Sequence, residues 1–290
     1  MHNIDNHAIF KPFVKWAGGK SRSVNKLLAW VPEHIDTYVE PFVGSGAMYF
    51  KLNFKHAIIN DLNYELICAY KSVRDNVEEL KALLKTFKYD KELFLKVRDW
   101  DREPSFKKRP EVEHAARLIF LIKTCYNGLY RVSKKNHFNT PFGKDLKPLI
   151  CDEKVLDRCS IYLNSFNTEI YNLPYSKLLD KIPKGAFVYL DPPYHPLTQT
   201  SNFTSYQPNS WKEREQELLY EFCVKLHRRG IKFMQSNSSS PFIIDLYKEH
   251  FTLQYIDVTR CINSDIKKRS AIKEVVIMNY DEKGHLLPKF

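Results

Sequence analysis

The stretch Ala186-Phe187-Val188-Tyr189-Leu190-Asp191-Pro192-Pro193-Tyr194 decides how this chain of 290 residues is read. Its first five residues are a continuous apolar run, the mark of a strand buried on both faces of a parallel sheet. Two prolines cannot extend a strand ladder, so the strand ends there and presents Asp191 and Tyr194 at its carboxyl end. Open α/β sheets bind ligands at that edge. A carboxylate, the carbonyl of Pro192 and an aromatic ring together suit a flat heterocycle bearing an amino group. Asp191 and the Pro192 carbonyl accept from the NH₂ while Tyr194 stacks on the ring. An aromatic amine is a weak nucleophile because its lone pair is delocalised into the ring. Two acceptors favour the tetrahedral nitrogen on which that pair is localised. The same residues would also serve as an ordinary turn after a strand.

A second junction of this kind lies upstream. Tyr38-Val39 reads as a short strand entering the turn Pro41-Phe42-Val43-Gly44-Ser45-Gly46, and residues 47–52 read as the start of a helix. Ala57-Ile58-Ile59-Asn60-Asp61 is a further strand, which places Asp61 where a carboxylate accepts from ribose hydroxyls. The glycine turn lacks the third glycine of a dinucleotide fingerprint, and the chain has no GxxxxGK[ST] loop for nucleotide triphosphates. Lys15-Trp16-Ala17-Gly18-Gly19-Lys20 joins an aromatic face, two flexible residues and cations, which suits a ligand with adenine and carboxylate ends.

Lys and Arg number 45 against 34 Asp and Glu, giving a net charge of +11 and a pI near 9.2. The segment 98–147 carries twelve basic and six acidic residues, so more than half of the excess sits in fifty residues. Such concentration favours a nucleic-acid face over a uniformly solvated surface. The cysteines Cys68, Cys125, Cys151, Cys159, Cys223 and Cys261 have no CxxC or His spacing, which predicts free thiols in a reducing compartment and no metal site. Residues 1–10 do not resemble a signal peptide, and apolar runs such as 118–122 are too short to span a membrane.

Residues 62–100 and 115–125 carry helical periodicity, 126–148 is a polar, basic loop or short hairpin, and strand signals return at 186–190, 231–234, 253–258 and 275–278. Residues 211–227 predict a helix with mixed charges on an exposed face. The helical segment splits strands of one sheet, so 64–152 reads as an insertion into an α/β catalytic domain formed by 1–63 and 153–290.

Taken in order, Lys15-Trp16-Ala17-Gly18-Gly19-Lys20, Glu40-Pro41-Phe42-Val43-Gly44-Ser45-Gly46, Asn60-Asp61, Tyr126-Asn127-Gly128-Leu129-Tyr130-Arg131, Phe138-Asn139-Thr140-Pro141-Phe142-Gly143, Asp191-Pro192-Pro193-Tyr194 and Phe203-Thr204-Ser205-Tyr206 resemble the Dam family. These are the D12-class DNA adenine-N6 methyltransferases. The resemblance implies a Rossmann-like class I S-adenosylmethionine-dependent methyltransferase sheet, with a mainly helical target-recognition domain inserted at 64–152. It implies that Trp16, Lys20, Phe42, Gly44, Gly46, Asp61 and Asp191 contact S-adenosylmethionine. Asp191, Pro192, Pro193 and Tyr194 would form the catalytic segment around a flipped-out adenine, because an adenine stacked in a duplex is out of reach. The methyl would pass directly to the amino nitrogen, without metal.

The family's usual target is GATC. By position, Arg131 would pair with a guanine edge, Leu129 and Pro141 would touch a thymine methyl, Tyr126 would wedge into the space left by the flipped base, Asn127 would hold register, and Lys15 would read the guanine of the first base pair. Family members often have Arg-Tyr after the Pro-Phe-Gly, whereas this chain has Lys144-Asp145, which bears on the first base pair. The basic segment 263–269 is a candidate phosphate contact, and His137 and His195 have no catalytic role. Double-stranded DNA is the expected partner and no membrane is, in the cytoplasm of a bacterial, archaeal or phage-infected cell. A cognate restriction endonuclease acting on the same site is compatible with this, without a required complex. Three other readings stay open: another DNA target, amino methylation of RNA or protein, and a catalytically silent DNA-binding protein.

Overall fold

The computed structural model describes residues 11–16, 18–21, 23–144, 148–197, 211–259 and 271–290. In chain order the elements are α1 (Val24–Leu27), β1 (Thr37–Glu40), β2 (His56–Asn60), α2 (Tyr64–Asp75), α3 (Val77–Thr86), α4 (Lys91–Arg98) and α5 (Glu111–Thr124). Then follow α6 (Glu153–Ser165), β3 (Asn167–Tyr171), β4 (Phe187–Leu190), α7 (Glu213–Arg228), β5 (Lys232–Ser238), α8 (Pro241–Tyr247), β6 (Thr252–Thr259) and β7 (Ala271–Met278). Among the described residues the strands make one seven-stranded sheet in the order β3-β2-β1-β4-β5-β7-β6. The α/β class expected from the sequence is therefore present. By internal contacts the chain divides into two compact units, Met1–Gly19 with Val43–Pro174, and Lys20–Phe42 with Tyr175–Phe290.

In the second unit β4 is buried along its whole length and runs parallel to β1 and β5, with Tyr38 opposite Phe187 and Leu190 opposite Gln235. This is the all-apolar strand that parallel neighbours on both edges require. β7 is antiparallel to both β5 and β6. The sequence reading ends β5 at Met234 because polar residues follow, yet the strand continues through the buried Gln235, Ser236, Asn237 and Ser238. Three of these side chains find partners inside: Tyr189 Oη lies 2.9 Å from Ser236 Oγ, Tyr247 donates to Gln235 Oε1 at 3.1 Å, and Asn237 Nδ2 donates to Gln216 Oε1 at 3.0 Å. Buried polar groups are tolerated where they are so bonded.

In the first unit β2 and β3 pair in parallel, from His56 opposite Asn167 to Asn60 opposite Tyr171. Helices α2–α5 follow the expected helical segments. Asn63 and Asp90 cap α2 and α4 by accepting from Leu66 and Leu93. Phe94, Val97, Phe120, Leu121, Cys125 and Phe138 form the core between α4, α5 and the loop that follows.

Two differences from the sequence reading have physical causes. Residues 47–52 form only a single 3₁₀ turn at Tyr49–Lys51, since Met48, Tyr49 and Phe50 are all buried and leave no polar face for a helix before β2 begins. The reading also passed over α6 and β3. The α6 signal was present: Asp152 caps it through Val155, and Leu156, Cys159, Tyr162 and Leu163 form its buried stripe. β3 alternates weakly, with only Thr168 fully covered.

Cys68, Cys125, Cys151, Cys159 and Cys223 are free thiols, and Cys261 lies outside the described residues. Among the described residues no cluster of His, Cys, Asp and Glu could hold a metal ion, and no helix is long and apolar enough to cross a membrane.

Candidate active site

The site residues fall into three groups, each within one unit. In the second unit, β4 delivers Asp191 at its carboxyl end, where Lys20 Nζ meets Asp191 Oδ1 at 2.8 Å. The same ammonium stands 4.5 Å from the centroid of the Tyr194 ring, and the Tyr194 hydroxyl donates to Glu274 Oε2 at 3.0 Å. Burial pushes the Asp191 carboxyl above the ordinary carboxylate range, and the Lys20 charge pulls it back down. Burial, with Asp191 and Glu274 nearby, raises the Tyr194 phenol well above its usual value, so it stays neutral and donates. Lys20, Asp191 and Tyr194 are thus one array: a half-buried carboxylate, a cation paired with it and an oriented ring. Pro192 and Pro193 bridge Asp191 and Tyr194, and the Pro193 carbonyl is held by Gln216 Nε2 at 2.9 Å. Phe42 packs against Tyr175 at 5.2 Å and edge-on to Trp211 at 5.5 Å.

In the first unit the glycine turn leaves β1's end with positive φ at Gly44 (48°) and Gly46 (70°), conformations that favour glycine. A Cβ on Gly46 would meet the Tyr70 hydroxyl at 2.6 Å. That hydroxyl donates to the Gly44 carbonyl at 3.0 Å and fixes the turn. Asp61 follows β2; its Oδ2 accepts from Gly44 N at 3.1 Å and its Oδ1 from Asn63 N at 2.9 Å. Burial raises its carboxyl, and these backbone donors oppose the shift. Each carboxylate oxygen retains acceptor capacity beyond one bond. Trp16 lies along Gly44, whose added Cβ would come 3.0 Å from Trp16 Cδ1, and stacks on Tyr130 at 5.0 Å and 21°.

The third group is the loop after α5, also in the first unit. Isolated antiparallel bridges, Cys125 with Phe142 and Val132 with Phe138, make it the short hairpin that was one of the two expectations. On the first arm of the hairpin the 3₁₀ turn Tyr126–Gly128, with positive φ at Asn127 and Gly128, leaves Tyr126 (58%) and Leu129 (37%) exposed. Large apolar side chains so exposed on a basic hairpin are candidates for a contact surface. Lys15 Nζ donates to the Asn127 carbonyl at 2.5 Å, and Tyr126 N donates to the carbonyl of the exposed Pro141 at 2.9 Å. Arg131 is exposed, and its Nε and Nη2 donate to Asn139 Oδ1 (2.8 Å) and O (3.1 Å). The guanidinium is therefore aimed in advance, with further N–H groups left for a partner. The hairpin is anchored beside its tip, where Phe138 N donates to Asp101 Oδ2 at 2.7 Å.

Glu274, Gln216 and Asp101 stand in no motif and act across a distance in sequence, so the sequence does not point to them, and Asn139 lies in the Phe138–Gly143 motif, which by itself assigns it no role. The motif Phe203-Thr204-Ser205-Tyr206, Asp145 and the segment 263–269 lie outside the described residues. His195 Nδ1 lies 2.9 Å from Ser240 Oγ, beside the N-terminus of α8.

Comparison with known proteins identifies the class. The sequence pattern of the D12 class N6 adenine-specific DNA methyltransferases matches residues 16–262, nearly the whole chain. The chain belongs to that family. It is 38% identical over 277 residues to the type II methyltransferase M1.LlaDCHI of Lactococcus lactis subsp. cremoris, covering 95% of this chain and 97% of that protein. It is 39% identical to the type II methyltransferase M.MjaIII of Methanocaldococcus jannaschii (93% and 99% covered). It is 29% identical to the DNA adenine methylase of Escherichia coli strain K12 (92% and 95% covered). The protein is thus an adenine-specific DNA methyltransferase with a class I methyltransferase sheet, and it uses a methyl donor.

Proposed function

We propose that this methyltransferase transfers the methyl group of S-adenosylmethionine to N6 of an adenine flipped out of double-stranded DNA, in the sequence GATC. The observation that carries this reading is the Lys20–Asp191–Tyr194–Glu274 array. It supplies an ionised acceptor and an oriented aromatic face at a strand end. Asp191 and the Pro192 carbonyl accept from the amino group, Tyr194 stacks on the base, and Pro193 fixes the turn between them. Lys20 holds Asp191 ionised against the pull of burial, which is the form able to accept.

The donor set suits the cofactor. The Gly44–Gly46 turn keeps side-chain bulk away from Trp16, the Asp61 carboxylate has acceptor capacity for ribose hydroxyls, and Trp16 offers an indole edge to an adenine ring. S-adenosylmethionine supplies the electrophilic methyl when bound. Trp16, Lys20, Phe42, Gly44, Gly46, Asp61 and Asp191 are its proposed contacts.

Residues 64–152 are proposed as the target-recognition segment within a catalytic domain of 1–63 and 153–290. Lys15, Tyr126, Asn127, Leu129, Arg131 and Pro141 are proposed as its DNA contacts. The exposed Tyr126 and Leu129 and the pre-aimed Arg131 support this. Working in the cytoplasm, beside an endonuclease of the same site, is compatible with these chemistries.

Two outcomes test the reading. Arg131→Ala is expected to relax discrimination at one guanine by about 1–3 kcal/mol, measured as methylation rates on GATC duplexes and on duplexes altered at single positions. An equal loss on every duplex would reduce Arg131 to a phosphate contact. The rate of methyl transfer at saturating DNA and cofactor is expected to fall on the acid side, at a pH above the ordinary carboxylate range, as Asp191 protonates. Lys20→Met removes the charge that lowers this pKa, so the acid limb moves to higher pH. A limb unmoved by that substitution would remove Lys20 from control of Asp191.

A further inference from the structure

The backbone on either side of Tyr194 is gripped by two buried amides that belong to no motif. Gln216 of α7 and Asn237 of β5 are both completely buried. Gln216 Nε2 donates to the Pro193 carbonyl at 2.9 Å, and Gln216 Oε1 accepts from Asn237 Nδ2 at 3.0 Å. Asn237 Oδ1 in turn accepts from the backbone N–H of His195 at 3.3 Å and from that of Ser238 at 2.8 Å. The Pro193 carbonyl defines the peptide plane before Tyr194, and the His195 amide defines the plane after it. One Gln–Asn pair therefore fixes both planes, and with them φ and ψ of Tyr194. Glu274 separately fixes the far end of the side chain through the phenol.

The chain of donors and acceptors has a single sense. Turning the Gln216 amide over would set its oxygen against the Pro193 carbonyl and its NH₂ against that of Asn237. A hydrogen-bond relay with only one satisfied arrangement, buried away from water, is costly to loosen. Because β5 is a central strand and α7 is four turns long, the grip is referred to rigid elements rather than to a loop.

We propose that Gln216 and Asn237 are positioning residues for methyl transfer, setting the Tyr194 ring and the preceding Pro192–Pro193 carbonyls in the geometry that receives the adenine. This rests on the reading of Tyr194 as the stacking partner of that base. The pair touches neither reactant; it acts through the backbone of the residue that does.

The test is the single-turnover rate of methyl transfer at saturating duplex DNA and S-adenosylmethionine, with active enzyme counted by cofactor binding. Tyr194→Ala serves as the control for the underlying reading. Gln216→Ala is expected to lower the rate roughly tenfold to a hundredfold with cofactor affinity unchanged, as misplacement of a reacting geometry does. Gln216→Glu still accepts from Asn237 but places a carboxylate against the Pro193 carbonyl. It is expected to be impaired at high pH and to recover towards the parent as pH falls, when the protonated acid regains an O–H donor for that carbonyl. A purely structural role would change the folded fraction and leave the rate per active molecule and its pH profile alone. An impaired Tyr194→Ala beside an unimpaired Gln216→Ala would overturn the clamp while sparing the site. If Gln216→Ala does not fold, a Gln216→Glu profile parallel to the parent overturns it equally. A fully active Tyr194→Ala would overturn the stacking reading and the clamp together.

Discussion

Asp191→Ala is expected to lower methyl transfer by roughly 10²–10³-fold or more while DNA binding stays largely intact, since a preorganised electrostatic group aimed at the reacting atom is what the change removes. The prediction follows from where the structure puts the carboxylate. Asp191 stands at the end of a strand buried on both sides, paired with Lys20 at 2.8 Å, in surroundings that disfavour its charge. On the proposed reading, this carboxyl and its Lys20 partner are in place before the base arrives. Loss of the carboxylate removes the acceptor and the Lys20–Asp191 ion pair, whereas the exposed hairpin bearing Tyr126, Leu129 and Arg131 is untouched. Methylation rates and duplex affinity, measured on the same preparation, separate the two effects. Full activity in this variant would end the mechanism proposed for the amino group.

Arg117→Met is expected to cost about 3–5 kcal/mol of stability, the usual result of removing one partner from a buried ionic cluster. Arg117 is completely buried on α5. Its Nη1 donates to both oxygens of Glu65 at 2.6 and 2.8 Å, its Nη2 meets Asp101 Oδ2 at 2.7 Å, and its Nε and Nη2 donate to the Val97 and Arg98 carbonyls. One guanidinium thereby ties α2, α4 and α5 together. Methionine fills much of the volume but removes the guanidinium from the Glu65 carboxylate, while Asp101 keeps Arg102 Nη1 and Phe138 N.

The loss depends on pH with a defined sign. Burial already raises the Glu65 carboxyl, and Arg117 is the charge that opposes it. Without Arg117 the folded-state pKa moves further above the unfolded one. The penalty from Glu65 is therefore absent below the unfolded value, grows as pH rises between the two, and is full above the folded value. Urea unfolding of the parent and the variant at a series of pH values measures this. A gap between the two that does not change with pH would contradict the role given to Glu65. Because Asp101 also holds Phe138 N, the same variant should loosen the hairpin that presents Arg131.

Much of this architecture could be read from residues, and the exceptions share a cause. Leu190-Asp191-Pro192-Pro193 announces itself because prolines terminate a strand for a local steric reason. The Gly44–Gly46 turn does so because positive φ is written into residue type, and helices α2–α5 because their apolar stripes repeat at short range. Glu274 and Gln216 are legible only in three dimensions. The first reaches Tyr194 across 80 positions and the second reaches Pro193 across 23. The strand signal at 231–234 stops short of the polar end of β5 for the same reason, since Gln235, Ser236 and Asn237 bond to side chains of α8, β4 and α7. Residues 47–52 failed in the opposite direction: their local pattern permits a helix, but all three central side chains are buried.

The most direct test is tritiated methyl transfer from S-adenosylmethionine to two matched duplexes that differ only in the presence of a single GATC. Incorporation into the GATC duplex alone is the expected result. Equal incorporation into both would contradict the target assigned through Arg131, Leu129 and Pro141, and incorporation into neither would contradict the assignment of duplex adenine as the substrate.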